Sequence, residues 1–311
     1  MGPDYSITQP KTPVGYALLE QLGHGGMGVV YKARQLGLDR LVAIKMIRSG
    51  ELADPMERAR FDTEARAVAK LSHPNIIQIY DFGETESGPY LALEYVPGKS
   101  LADALRDSPY PPRQAANLLS ILAKAVDYAH QAGIVHRDLK PANILLARDE
   151  SSQGSESSLI TPTSALRPKI TDFGLAKRMG SDKLTRTGDF LGTPNFTAPE
   201  QAAGKSDVGP VADVYSLGAI LYQTLTGRPP FSGATPLDTL DLVRFSEPVP
   251  PSRLRLNVPR DLETIALKCL SKEPGKRYAS AAALADDLDR FLQKKAIHAR
   301  PVSSIEKGIK W

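Results

Sequence analysis

Hydrophobic and polar positions change rhythm partway along this chain. Val29-Val30-Tyr31-Lys32-Ala33 and Leu41-Val42-Ala43-Ile44-Lys45-Met46-Ile47 are rich in β-branched residues and predict two strands, and Tyr90-Leu91-Ala92-Leu93 predicts another. Between them, Asp54-Pro55-Met56-Glu57 reads as a helix start, with an N-cap, a first-turn proline and a capping-box glutamate. Phe61, Ala65, Val68 and Leu71 carry the apolar stripe that would follow. Beyond Leu93 the pattern turns mostly helical. A helix is predicted to begin near Ser100, and Gln114 to Gln131 sets Leu118, Leu122, Ala125 and Ala129 at helical spacing with Gly133 as its stop. Val214 to Leu225 predicts a short buried helix, and no internal repeat is present.

Within this pattern a few polar residues stand out. Lys45 lies in the middle of an otherwise apolar strand, where an ammonium needs a partner because burying it alone is costly. Gly23, Gly25 and Gly28 form a G-x-G-x-x-G, weak by itself because dinucleotide-binding turns share it. A dinucleotide fold requires a helix directly after the glycines, whereas Val29 to Ala33 reads as a strand. The glycines therefore suit a hairpin over phosphates, which backbone N–H groups approach closely where no side chain intervenes. Farther along, His136-Arg137-Asp138-Leu139-Lys140-Pro141-Ala142-Asn143 is followed by Asp172-Phe173-Gly174. That spacing offers a carboxylate for a hydroxyl, a lysine for phosphate, and the hard oxygen ligands that Mg2+ prefers.

Taken in order, these motifs resemble the eukaryotic-like (Hanks-type) Ser/Thr protein kinases of bacteria, from about Tyr16 to Leu292. The resemblance implies an α+β, two-lobed fold: a small, mainly antiparallel β lobe with one key helix, and a larger, mainly helical lobe. It divides the chain into a flexible segment 1–15, a small lobe 16–93, a hinge 94–98, a large lobe 99–293 and a tail 294–311. ATP and Mg2+, with Mn2+ as a substitute, would be the cofactors. The adenine would lie among Leu22, Val30, Ala43 and Leu145, with hydrogen bonds to the backbone from Glu94 to Val96. Lys45, paired with Glu64, would orient the phosphates under the glycines, Asn143 and Asp172 would hold the metal, and Lys140 would face the γ-phosphate. Asp138 would accept the substrate proton. Thr193, in the docking loop that ends Ala198-Pro199-Glu200, and Lys140 resemble the Ser/Thr-directed branch. Phe196 and Thr197 depart from that loop's usual residues, which blurs the expected peptide preference. Glu200 would pair with Arg277, and Asp213 would bond the catalytic-loop backbone. Thr185 and Thr187 are candidate phosphoacceptors in an activation loop, where a phosphate would pair with Arg137.

One stretch departs from the family. Arg148 to Pro168, rich in Ser, Thr and Pro, is about fifteen to twenty residues longer than the tight turn usual there. Its composition predicts disorder, with a phosphorylation or partner site as the alternative.

Composition narrows the partners. The formal net charge of +4 lacks a basic block interleaved with aromatics, so nucleic acid is not expected. The single Cys269 suits a reducing, cytoplasmic setting and reads as a small buried hydrophobe. No apolar stretch is long enough to span a bilayer, so a membrane would be reached only through a segment outside this chain. Met1-Gly2-Pro3 formally opens a myristoylation pattern, but Pro3 argues against it. The expected partners are proteins bearing Ser or Thr, and a second copy if phosphorylation occurs between molecules. An ATP-binding pseudokinase scaffold and a small-molecule phosphotransferase are the competing readings. A P-loop hydrolase would need G-x-x-x-x-G-K-[ST], which is absent.

Overall fold

The structure is a computed structural model that describes residues 12–25, 28–47, 55–148, 166–173 and 194–299. The chain divides into two compact units, one drawn from Met1–Ser72 and Ile77–Tyr95, the other from His73–Ile76 and Val96–Trp311.

In the first unit, β1 (Tyr16–Gly25), β2 (Gly28–Gln35), β3 (Arg40–Ile47), β4 (Ile79–Thr85) and β5 (Gly88–Glu94) form one antiparallel sheet in the order β1-β2-β3-β5-β4. Tyr16, Ala33, Val42, Ile44, Met46, Tyr90 and Ala92 cluster as a core on it. Alternation along β3 explains this, since Val42, Ile44 and Met46 fall on one face. Helix α1 (Pro55–Ala69) buries Phe61, Ala65 and Val68, as the apolar stripe predicts, and Arg66 lies over the Phe82 ring of β4. The capping-box reading at Asp54 and Glu57 lies outside the described residues and side chains.

The second unit is mainly helical, with a small sheet of β6 (Gly98–Ser100), β7 (Ile144–Arg148) and β8 (Leu166–Ile170). Ser100 caps α2 (Leu101–Asp107) by accepting from the Asp103 N–H at 3.1 Å. Helix α3 (Pro112–Gln131) ends before Gly133, whose φ of 76° lets the chain leave in the left-handed region. The short α4 (Pro199–Ala202) precedes α5 (Val211–Thr226), which is buried along nearly its whole length. Four more helices follow: α6 (Pro236–Phe245), α7 (Pro251–Leu254), α8 (Arg260–Cys269) and α9 (Ala281–Leu292). Helix α5 packs on α3 and α8, and α3 packs on α9. Gly218 of α5 meets Cys269 of α8 so closely that a Cβ would collide with the cysteine's own. Burial pushes the Cys269 thiol pKa upward, which keeps it an inert, fully buried hydrophobe.

The β7–β8 register runs to Arg148 opposite Leu166. Arg148, Leu166, Arg167 and Pro168, expected from sequence to lie in the insertion, are therefore strand, with Pro168 paired with Leu146. β8 is an edge of its sheet, where a missing N–H is tolerated. The remainder of the proposed insertion, 149–165, lies outside the described residues.

Candidate active site

In the first unit, sheet register sets three of the predicted nucleotide-site residues side by side. Val30 pairs with Lys45, Lys32 with Ala43, Lys45 with Leu91, and Ala43 with Leu93. Directly opposed residues share a sheet face, so Val30, Ala43 and Lys45 lie together on the side away from Val42, Ile44 and Met46. Lys45 is half-buried, flanked along the chain by the buried Ile44 and Met46. Glu64 lies on α1, also half-buried, next to the buried Ala65. Leu22 sits at a register shift of β1 and is 45% exposed. Gly23 pairs with Val30, and Gly25 with Gly28. At Gly23 and Gly25 a Cβ would meet open space, whereas at Gly28, with φ 148°, it would fall on the Met46 carbonyl. Gly28 is therefore required by the sheet itself. Glu94 ends β5, and its Oε2 accepts from the Gln78 N–H at 3.3 Å.

The second unit holds the catalytic-loop candidates. Asp213, fully buried on α5, accepts the backbone N–H groups of His136 and Arg137 at 2.8 Å each. His130 of α3 places Nε2 2.8 Å from the same carboxylate. His136 is fully buried, and burial lowers its imidazole pKa, so the ring is neutral. Its Nδ1 accepts from the Asp138 N–H at 3.2 Å, leaving Nε2 to donate to the Thr171 carbonyl at 3.0 Å. The same ring packs against Phe173, with centroids 4.6 Å apart. One histidine thus joins the segment of Asp138 to that of Asp172.

Asp138 is the focus of the loop. Lys140 Nζ donates to its Oδ2 at 2.8 Å, and Asn143 Nδ2 reaches its carbonyl at 2.9 Å and its Oδ2 at 3.2 Å. The Asn143 amide nitrogen is engaged with Asp138, which leaves its oxygen as the atom to offer a cation. The Thr171 N–H donates to the Asn143 carbonyl at 3.0 Å, tying Asp172 to the same turn. Asp172 adopts a φ of 59°, uncommon for a non-glycine residue and a mark of a constrained site. An amide oxygen and a carboxylate form a donor set that fits Mg2+. Leu145 follows on β7, half-buried and paired with Lys169, and Val96, also half-buried, opens the longer segment of the second unit.

Next to this loop, Glu200 and Arg277 form a bidentate pair, with two bonds of 2.7 Å and side chains 7% and 0% exposed. Arg277 also donates to the Ser271, Lys272 and Val211 carbonyls. Gln201 accepts from the Ala198 N–H and donates to the Arg137 carbonyl at 2.9 Å, linking the docking segment to the catalytic loop. The contributions of Gln201, His130 and Thr171 escape sequence reasoning, because their partners are distant backbone groups or a buried carboxylate and no periodicity marks them. Thr185, Thr187 and Thr193 lie outside the described residues.

A model of the protein kinase domain matches residues 16–288. The chain belongs to the protein kinase domain family. It is 40% identical over 289 residues to the serine/threonine-protein kinase PknB of Mycobacterium leprae, covering 91% of this chain and 44% of that protein. It is 36% identical to a probable serine/threonine-protein kinase, CPE1738, of Clostridium perfringens, covering 89% of this chain and 38% of that one. Its fold is similar to the crystal structure of the Mycobacterium tuberculosis PknI kinase domain, with TM-score 0.69, 27% identity, and coverage of 90% of this chain and 97% of that one. This is the two-lobed kinase fold of a bacterial Hanks-type kinase similar to PknB. The chain spans less than half the length of the curated relatives it matches. Among the described residues, no helix is long and apolar enough to cross a membrane.

Proposed function

We propose that this chain is a serine/threonine protein kinase domain that transfers the γ-phosphate of ATP to Ser or Thr hydroxyls of proteins. The observation that carries the reading is Asp138, held by Lys140 and Asn143 on a loop whose backbone Asp213 clamps. Asp138 orients the substrate hydroxyl and accepts its proton as the hydroxyl oxygen bonds the γ-phosphorus and the bond to the ADP oxygen breaks. Lys140 balances charge beside that carboxylate. In the first unit, Lys45, supported by Glu64, binds phosphate, and Val30, Ala43 and Leu22 take the apolar base, with backbone bonds from the 94–98 hinge. Asn143 and Asp172 would hold Mg2+, which would offset the phosphate charge when bound. Positioning and charge stabilisation account for most of the catalysis.

Thr193 and Lys140 direct the reaction to Ser and Thr. Activation follows phosphorylation at Thr185 or Thr187, one copy acting on another, with Arg137 receiving the new charge. The kinase domain works in the cytoplasm, as part of a longer protein.

Incubation with γ-labelled ATP, Mg2+ and a basic protein tests the reading. Label recovered as phosphoserine or phosphothreonine, and stable to hydroxylamine, supports it. ATP binding without transfer would instead make the chain a scaffold, and label on a small molecule would make it a small-molecule phosphotransferase.

A further inference from the structure

The family match ends at residue 288 and α9 at Leu292, yet the chain beyond is tied back into the second unit. Lys294, with φ 58°, reverses the chain after α9. Arg290 Nε then donates to the Ala296 carbonyl at 2.6 Å, and the Lys295 N–H donates to the Arg290 carbonyl at 2.8 Å. The His298 N–H meets Asp287 Oδ1 at 2.5 Å and the Ala299 N–H meets Oδ2 at 2.8 Å, which leaves Ala299 only 4% exposed. Asp287 is itself 1% exposed, and the Tyr278 hydroxyl also donates to its Oδ2, at 2.8 Å.

A carboxylate is costly to bury and persists where its oxygens are fully satisfied. Here one carboxylate collects donors from the returning strap and from Tyr278. Tyr278 directly follows Arg277, the residue that grips Glu200 with two bonds. Gln201, next to Glu200, donates to the carbonyl of Arg137, which precedes Asp138. The bonds therefore run without a break from the strap to the catalytic loop.

We propose that residues 294–299, with Asp287 and Tyr278, are positioning elements for the Glu200–Arg277 anchor and, through Gln201, for the loop of Asp138. The functional unit then extends past the family-matched segment to Ala299. Asp287 fixes Tyr278, Tyr278 fixes the end of the turn that carries Arg277, and the strap excludes water from the carboxylate that does so. This inference rests on the kinase reading for its kinetic consequence, though not for its structural one.

Tyr278→Phe keeps the ring and removes the one hydroxyl, and Ala299→Asp sets a second carboxylate beside Asp287 and expels the strap. In the whole chain each is expected to raise KM for a protein substrate about fivefold or more, with KM for ATP within about twofold of wild type. The double variant should be no worse than the worse single one, because both changes break the same link. Amide hydrogen exchange reads the coupling without any activity: the segments 196–203 and 134–140 should exchange faster in both variants. If both keep wild-type substrate KM and wild-type exchange there while melting at lower temperature, the strap merely stabilises and the proposal is overturned. An inactive wild type whose variants still show the faster exchange would sink the kinase reading and leave the strap intact. Should Ala299→Asp fail to fold, Tyr278→Phe alone decides.

Discussion

The Asp213 carboxylate accepts the Arg137 N–H at 2.8 Å, and Arg137 sits at a φ of 64°, in the left-handed region that non-glycine residues rarely occupy. The bond holds a backbone conformation that would otherwise relax, one residue before Asp138. In Asp213→Asn, the side-chain amide presents a donor to one of two backbone donors, and the loss of a buried partner costs about 1–3 kcal/mol. We expect turnover to fall about tenfold or more, with ATP affinity by calorimetry little changed. Unchanged turnover would show that this clamp does not set the geometry of Asp138.

The Glu200–Arg277 pair predicts an asymmetric response. Arg277→Met leaves a buried carboxylate unpaired and should destabilise the chain by about 3–5 kcal/mol. Adding Glu200→Leu removes the orphaned charge and should restore part of that loss. Urea unfolding of the two variants measures both steps, and a single change costing under about 1 kcal/mol would contradict the pairing described here.

Two glycines of the β1–β2 hairpin should separate structure from ligand binding. Gly28→Ala requires an unfavourable φ and drives a methyl into the Met46 carbonyl, so thermal stability should drop by the equivalent of about 1–3 kcal/mol or more. Gly25→Ala adds a methyl in open space and should leave stability within about 1 kcal/mol. Equal melting temperatures for the two variants would refute the sheet-packing role of Gly28.

Sequence legibility tracks locality. The β3 strand around Lys45, the stripe on α1, the stop at Gly133 and the buried α5 follow from periodicity and turn chemistry within a few residues. The Glu200–Arg277 and Asp213 contacts were accessible only through the ordered motifs, since their partners lie far apart in the chain. Composition does not reveal that Leu166 to Pro168 belong to a strand, because an edge position tolerates the missing N–H of Pro168. In sequence Gly28 reads as a phosphate-binding glycine, and its close approach to β3 becomes visible only with the strand register. Asp287 gave no sign at all: in a helix with exposed Asp286 beside it, a carboxylate that gathers a returning chain reads as one more surface charge.

Acid should weaken the catalytic loop through His136. Burial lowers its folded-state pKa, while an unfolded histidine titrates near about 6.5. As pH falls through that value the unfolded chain takes up a proton that the folded chain resists, so stability is full above it and lost progressively below. Between about pH 7.5 and about pH 5.5 the melting temperature of wild type should fall more steeply than that of His136→Gln. His73, whose pKa is lowered in the same direction, is present in both proteins and cancels in the comparison. Parallel slopes would mean that His136 does not titrate differently on folding.

Asp138 is assigned to the accepting hydroxyl, while other residues hold the nucleotide. Asp138→Asn should preserve the size of the loop and lower phosphate transfer to a protein substrate by about 100-fold or more, the loss expected when a positioned base is removed. The most direct measurement is single-turnover transfer from γ-labelled ATP by wild type and by Asp138→Asn, at saturating ATP and Mg2+, with ATP binding determined on the same samples. Nucleotide binding should be retained in both, with transfer at least about 100-fold slower in Asp138→Asn; near wild-type transfer by that variant would show that Asp138 does not serve the hydroxyl.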